Sequence, residues 1–271
     1  MMVGFAVIVG IAVASNSFEK IFTFTSLLGF LTGFAISSFS MVSNDIYDIE
    51  VDRVNQPARP LPSGKIKGKP AWAFAVFFLI AGLMASLALG PLNLGIAAIF
   101  ALVGWYYNYH GKKLGLPGNS LVALSLAIPY IFGSVALSDY SVNLAYLLAL
   151  TSFLAGLGRE VLKGIADVAG DKLRNIKTVA IVHGTKIARR LVSLLFISAV
   201  ISSTFPVLAN LLGHALYVYL GLVAIPDLVF VYLAVRTIRM PADSESLKLK
   251  SLALLGMLLG LLAYLISGLA V

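Results

Sequence analysis

The sequence predicts an all-α integral membrane protein that crosses the bilayer about nine times. Three observations predict it: an apolar composition, a series of uncharged runs of bilayer-spanning length, and basic residues confined to alternate connections. Hydrophobic side chains make up 59% of the 271 residues and charged ones only 12%, with a mean hydropathy of +0.95. Soluble domains carry roughly 45–50% apolar and about 25% charged residues, so this chain is built to face lipid.

The spans follow in order. Residues 1–15 are apolar and lack the basic n-region of a cleaved signal, so they are read as a first span. Residues 21–43 form the second, 71–90 the third and 94–109 the fourth. Runs 118–137 and 140–158 give the fifth and sixth, and 191–213 the seventh. The eighth, 214–235, is interrupted by Asp227, and 251–271 closes the series. A helix needs about 20 apolar residues to cross a hydrocarbon core of about 30 Å, and most of these runs approach or exceed that.

The net charge of +8 would suit nucleic acid if the charges formed a patch, but their placement says otherwise. Of the 20 Lys and Arg residues, all but Lys20 fall in the connections after the second, fourth, sixth and eighth spans or at the helix ends beside them. The positive-inside rule makes that face cytoplasmic, with the N-terminus in and the C-terminus out of a multi-pass cell-membrane protein. No nucleic acid and no obligate protein partner is expected. With no cysteine and three histidines out of ligand register, disulfides, thiolate metal sites and zinc are not expected.

Two cytoplasmic connections are long and charged, 44–70 and 159–190. In the first, Asp45, Asp48 and Asp52 stand at i, i+3 and i+7, so a helix continuing the second span lines them along one face with Asn44 beside Asp48. Three like charges there call for a cation, and hard oxygen ligands suit Mg²⁺, which takes one or two carboxylates and fills its shell with phosphate oxygens and water. In the second connection Arg159, Glu160, Lys163, Asp167 and Asp171 recur at helical spacing, and Arg159 and Lys163 offer positive charge to a diphosphate. Asp45 and Asp167 lie 122 residues apart on even-numbered helices, which hints at an internal duplication. A third element is Tyr109 and Lys113 at the end of the fourth span: the lysine can reach a phosphate, and aromatic faces attract a developing cation. Asp227 has no motif around it and is read as a helix-to-helix hydrogen bond in preference to a functional site.

These residues resemble the UbiA superfamily of intramembrane prenyltransferases. Asn44, Asp45, Asp48 and Asp52 match its Asn-Asp-x-x-Asp-x-x-x-Asp signature, Asp167 and Asp171 its Asp-x-x-x-Asp, and Tyr109 with Lys113 its Tyr-x-x-x-Lys. The stretch 55–64, with Arg59, looks like the family's loop after the first motif, and Arg53 and Arg59 join the basic residues expected to bind substrate. An Arg-Pro-x-Asn stretch that members carry near the first helix has no match here. The resemblance implies one transmembrane domain over residues 1–271, nine helices around a central cavity capped by the two cytoplasmic loops, and Mg²⁺ between aspartate clusters in which Asp45, Asp48, Asp52, Asp167 and Asp171 carry the catalysis.

The activity it implies is transfer of a polyprenyl group from its diphosphate to a lipid acceptor, with release of pyrophosphate. Residues 158–171 and 177–184 look most like the archaeal digeranylgeranylglyceryl phosphate synthases of that family, which add a second geranylgeranyl group to geranylgeranylglyceryl phosphate. Lys172, Arg174 and Lys177 would suit a phosphorylated acceptor. The alternative is an aromatic prenyltransferase of quinone biosynthesis, since a basic pocket also attracts the carboxylate of 4-hydroxybenzoate. A secondary transporter is the rival of another class, but its acids would sit near the midplane and not at helix ends on one face.

Overall fold

The computed structural model describes residues 2–138, 143–173 and 176–270. Arg174 and part of the outer connection expected around residues 138–143 lie outside the described residues. Nine helices of fourteen residues or more are present among those described: α1 (Met2–Ser15), α2 (Phe24–Tyr47), α3 (Gly68–Leu89), α4 (Pro91–Tyr109), α5 (Leu116–Ala136), α6 (Leu144–Ala166), α7 (Thr185–Ser202), α8 (Leu216–Arg239) and α9 (Ser246–Ala270). Seven segments are long and apolar enough to cross a membrane; α1, at 14 residues, and α4, at 19, fall outside that set.

Several boundaries differ from the expected spans, for one physical reason. α7 starts at Thr185 and takes in Lys186, Arg189 and Arg190, α8 runs on through Arg236 and Arg239, and α9 takes in Lys248 and Lys250. Long cationic side chains bury their stems and keep their heads in water, so a helix continues past the end of its uncharged run. The seventh span is also shorter at its far end. The helix stops at Ser202, and Pro206 begins a separate turn, Phe205–Leu208, before Asn210 takes a positive φ of 52°.

α2 packs on α3, α4 on both, and α5 on α6; α7 lies between α6 and α8, α9 against α6 and α8, and α1 touches α2, α5 and α9. Small residues let these helices meet closely, as is usual where lipid is the solvent. A Cβ on Gly10 would stand 2.5 Å from the carbonyl oxygen of Tyr130, and one on Gly133 would stand 2.5 Å from that of Val7, which fixes the α1–α5 crossing. Buried amides tie helices together: Asn93 Nδ2 donates to the Phe132 carbonyl at 3.2 Å, and Asn108 Nδ2 to that of Ser40 at 2.8 Å. Asp227 belongs to the same class, since Ser203 Oγ donates to its carboxylate at 2.8 Å from the end of α7. Large apolar side chains such as Phe74, Phe77, Met84, Leu194 and Leu228 point outward and are more than half exposed, the surface expected of a protein bathed in acyl chains.

The chemistry-bearing helices are not straight. α2 ends at Tyr47, Asp48 sits at φ −94°, ψ 4°, and a short helix, Ile49–Asn55, carries on from there. α6 ends at Ala166 in the same way, with Asp167 at φ −101°, ψ 12° followed by the short helix Val168–Leu173. Both aspartates occupy the sparsely populated bridge region between helix and strand, where active-site residues recur. Backbone bonds cross each break: Asp52 N–H to Asp48 O and Asp171 N–H to Asp167 O are both 2.8 Å.

Candidate active site

The break at Asp48 decides how the first cluster is arranged. An uninterrupted helix would hold Asp45, Asp48 and Asp52 in one stripe of like charge. In the structure they divide. Asp45 and Asp52 converge on one guanidinium nitrogen, Arg59 Nη1, at 3.4 and 2.7 Å, whereas Asp48 takes Asn44 Nδ2 at 3.0 Å and Lys112 Nζ at 2.7 Å. Arg59 gets there because residues 56–66 fold into a compact turn, in which Ile66 N–H returns to the Pro60 carbonyl at 3.1 Å and Gly64 adopts φ 76°. Arg53 does not join them: it pairs with Glu50 at 3.0 Å, with both side chains exposed.

In the second cluster Glu160 is the buried anion. Arg159 Nη1 lies 2.9 Å from one of its oxygens and Lys163 Nζ 3.9 Å from the other, so these two cations are already partly neutralised. Arg159 Nε is buried with no hydrogen-bond partner, a donor that an anion entering the site would satisfy. Asp167 and Asp171 occupy the break and the short helix beyond it. Tyr107, near the end of α4, is close enough to Glu160, Asp48 and Asp171 to feel the charge of both clusters.

The third element is arranged differently from its expected form. Tyr109 is 61% exposed, stacks on Trp105 with ring centroids 5.6 Å apart and meets Tyr47 edge-on, so it belongs to an aromatic belt on the outer surface. Lys113 contributes its carbonyl, which accepts from Lys177 N–H at 3.3 Å, while its neighbour Lys112 reaches Asp48. The cause is the tight turn Gly111–Lys113 after α4, which changes the helical phase so that spacing counted from Tyr109 no longer applies. The turn brings Lys112 to Asp48, and Tyr107, two residues before the end of α4, lines the pocket beside Asn44; spacing counted from Tyr109 signals neither contact.

Two apolar spaces open from the first cluster on opposite sides of α2. A groove of about 520 Å³ between α2, α3 and the Arg59 turn has Asp45, Asp52 and Arg59 at its polar end and Ile66 and Phe74 along its length. On the other side a pocket of about 250 Å³ reaches Asn44, Tyr107 and Asn108. It shares Ser40, Met41, Gly104, Val122 and Ser125 with a deeper one of about 290 Å³, so the two form one chamber between α1, α2, α4 and α5.

The donor set is all oxygen, which suits Mg²⁺ or another hard divalent ion. The Arg59 guanidinium sits where Asp45 and Asp52 converge and the Lys112 ammonium sits against Asp48, so these acids point at positions a cation can take. Among the described residues no three His, Cys, Asp or Glu side chains surround a common point.

A family model described as the UbiA prenyltransferase family matches residues 3–258. The digeranylgeranylglyceryl phosphate synthase of Archaeoglobus fulgidus is 33% identical over 97% of this chain and 90% of its own length. A solved digeranylgeranylglyceryl phosphate synthase superposes with a TM-score of 0.89, at 33% identity over 100% of this chain and 94% of that one. A UbiA homolog from Archaeoglobus fulgidus bound to GPP and Mg²⁺ shares the fold with a TM-score of 0.66, 16% identity and coverage of 99% and 96%. Nine helices, two aspartate clusters at helix breaks on one face, and similarity along nearly the whole length lead to one conclusion: the chain belongs to the UbiA prenyltransferase family.

Proposed function

We propose that this protein transfers a geranylgeranyl group from geranylgeranyl diphosphate to geranylgeranylglyceryl phosphate, giving the ether lipid precursor digeranylgeranylglyceryl phosphate and pyrophosphate. The observation that carries this reading is the full-length similarity to synthases of that name at 33% identity, joined to a site in which acids, bases and an apolar chamber meet. Asn44, Asp45, Asp48, Asp52, Asp167 and Asp171 are the candidate ligands of Mg²⁺. When bound, the metal supplies the positive charge that makes a diphosphate a good leaving group.

The protein's own groups do the rest. Arg59, Lys112, Arg159 and Lys163, now paired with carboxylates, would bind diphosphate and headgroup oxygens once the site's acids held the metal. The allylic C–O bond breaks and the pair of electrons leaves with pyrophosphate. The acceptor's hydroxyl oxygen then bonds to the freed carbon, and its proton passes to the departing pyrophosphate. Apolar walls keep out the water that would otherwise trap the allylic cation. The first motif and its turn face the cytoplasm in this reading, where both substrates present their headgroups.

The test offers purified protein, geranylgeranyl diphosphate and Mg²⁺ a choice of geranylgeranylglyceryl phosphate or 4-hydroxybenzoate, and identifies the lipid product by mass. The expected product is an ether lipid with two geranylgeranyl chains. A prenylated benzoate with no ether lipid would move the protein to quinone biosynthesis.

A further inference from the structure

We infer that Phe132, with Ile96 beside it, forms the floor of the chamber behind Asn44 and sets the length of the prenyl chain that the donor can carry. The inference rests on the prenyl transfer proposed above and concerns which donors that reaction admits.

The chamber runs the depth of one leaflet. It begins at Asn44, Tyr107 and Asn108 and ends at Phe132, Ile96 and Thr32. Along α4 the distance from Asn108 to Ile96 is twelve residues, or about 18 Å at 1.5 Å per residue. Half of a 30 Å hydrocarbon core is about 15 Å, so the chamber is about one leaflet deep, and an extended chain of four isoprene units, about sixteen carbons along its backbone, has a reach of the same order. A three-unit chain would leave the bottom of the chamber empty. A five-unit chain would need about one more helical turn of depth.

Nothing at the floor yields easily. Phe132 is 5% exposed and packs in one cluster with Val7, Ile11 and Ala97. Its carbonyl is held by the buried Asn93, and Gly133 beside it is pressed against the backbone of α1, so the backbone carrying the ring is pinned from two sides. Leu89 and Leu137 pack against the same cluster and back the ring on its far side. Small side chains on facing walls, Gly33, Ser37, Ser40, Gly104 and Ser125, leave room between the larger Met41 and Phe100, and Phe132 is the aromatic ring at the deep end.

The experiment measures transfer from farnesyl, geranylgeranyl and geranylfarnesyl diphosphates to one fixed acceptor. Wild type should prefer the four-unit donor. Phe132→Ala should raise the five-unit to four-unit ratio of kcat/KM by roughly tenfold or more, as expected when a pocket gains room for an added apolar group. Ser37→Leu fills the chamber from its wall without touching the floor, and should move the preference to farnesyl diphosphate. If Phe132→Ala does not fold, Phe132→Leu and Ser37→Leu carry the test in opposite directions. Unchanged donor ratios in folded variants would overturn the assignment of the floor. So would a change confined to a series of acceptors of different chain length, because the chamber would then hold the acceptor. A wild-type protein that transfers no donor at all would instead refute the proposed function.

Discussion

Lys112 and Lys113 are adjacent and chemically identical, yet only one of them reaches an acid of the site. Lys112 Nζ lies 2.7 Å from Asp48, whereas Lys113 is used through its backbone. Hydrogen bonds to charged groups contribute about 1.5–3 kcal/mol, so Lys112→Ala should lower kcat/KM for the diphosphate about tenfold or more while Lys113→Ala stays near wild type. The opposite order would return the role to Lys113. The same logic separates acids of the first cluster. Asp48→Ala and Asp167→Ala each remove a carboxylate at a helix break and should cost transfer at least about a hundredfold. Glu50→Ala, whose carboxylate is exposed and paired only with Arg53, should have little effect. The readout is pyrophosphate release by folded, detergent-purified protein; an active Asp48→Ala would remove the metal-ligand assignment.

At the scale of elements, the site is held by loops that lean on one another. Gly115, just before α5, adopts φ 67°, and a Cβ there would stand 1.9 Å from the Lys177 carbonyl oxygen in the second long charged connection. Gly115→Ala therefore meets both a strained backbone and a clash, each of the order of 1–3 kcal/mol. It should lower the thermal unfolding midpoint and loosen the contact between the two connections, read as faster amide exchange over residues 176–182. An unchanged midpoint and exchange would show that the contact does not matter. Which parts of this were legible follows from the physics of each signal. Span number and order were readable because hydropathy integrates over twenty residues, and the acidic motifs were readable because their helical spacing is local. The breaks at Asp48 and Asp167 were not, since a single residue in the bridge region leaves no periodic trace. Nor was the contact of Lys112, and not Lys113, with Asp48, which depends on one tight turn after α4.

Over the whole molecule, the breaks give a register to the duplication that the sequence hints at. Asp48 and Asp52 correspond to Asp167 and Asp171 at a constant offset of 119 residues, in place of the 122 obtained by pairing Asp45 with Asp167. With that offset α2, α3, α4 and α5 run in the same order as α6, α7, α8 and α9, each quartet led by a helix that breaks at an aspartate, and α1 stands between them against α2, α5 and α9. Repeats in the same orientation put both clusters on one membrane face, which is what a single diphosphate site requires.

That face is testable because the chain has no cysteine, so each introduced thiol is unique without further engineering. The positive-inside rule assigns the cytoplasm to the side holding nineteen of the twenty Lys and Arg residues, all but Lys20. Ser63 is exposed in the turn that carries Arg59, and Glu19 is exposed in the short connection between α1 and α2 on the opposite side. In sealed right-side-out vesicles a membrane-impermeant maleimide should therefore label Glu19→Cys and leave Ser63→Cys unmodified until the vesicles are opened. Labelling of Ser63→Cys in sealed vesicles would invert the molecule. It would also place both aspartate clusters on the outer face, away from a cytoplasmic supply of prenyl diphosphate.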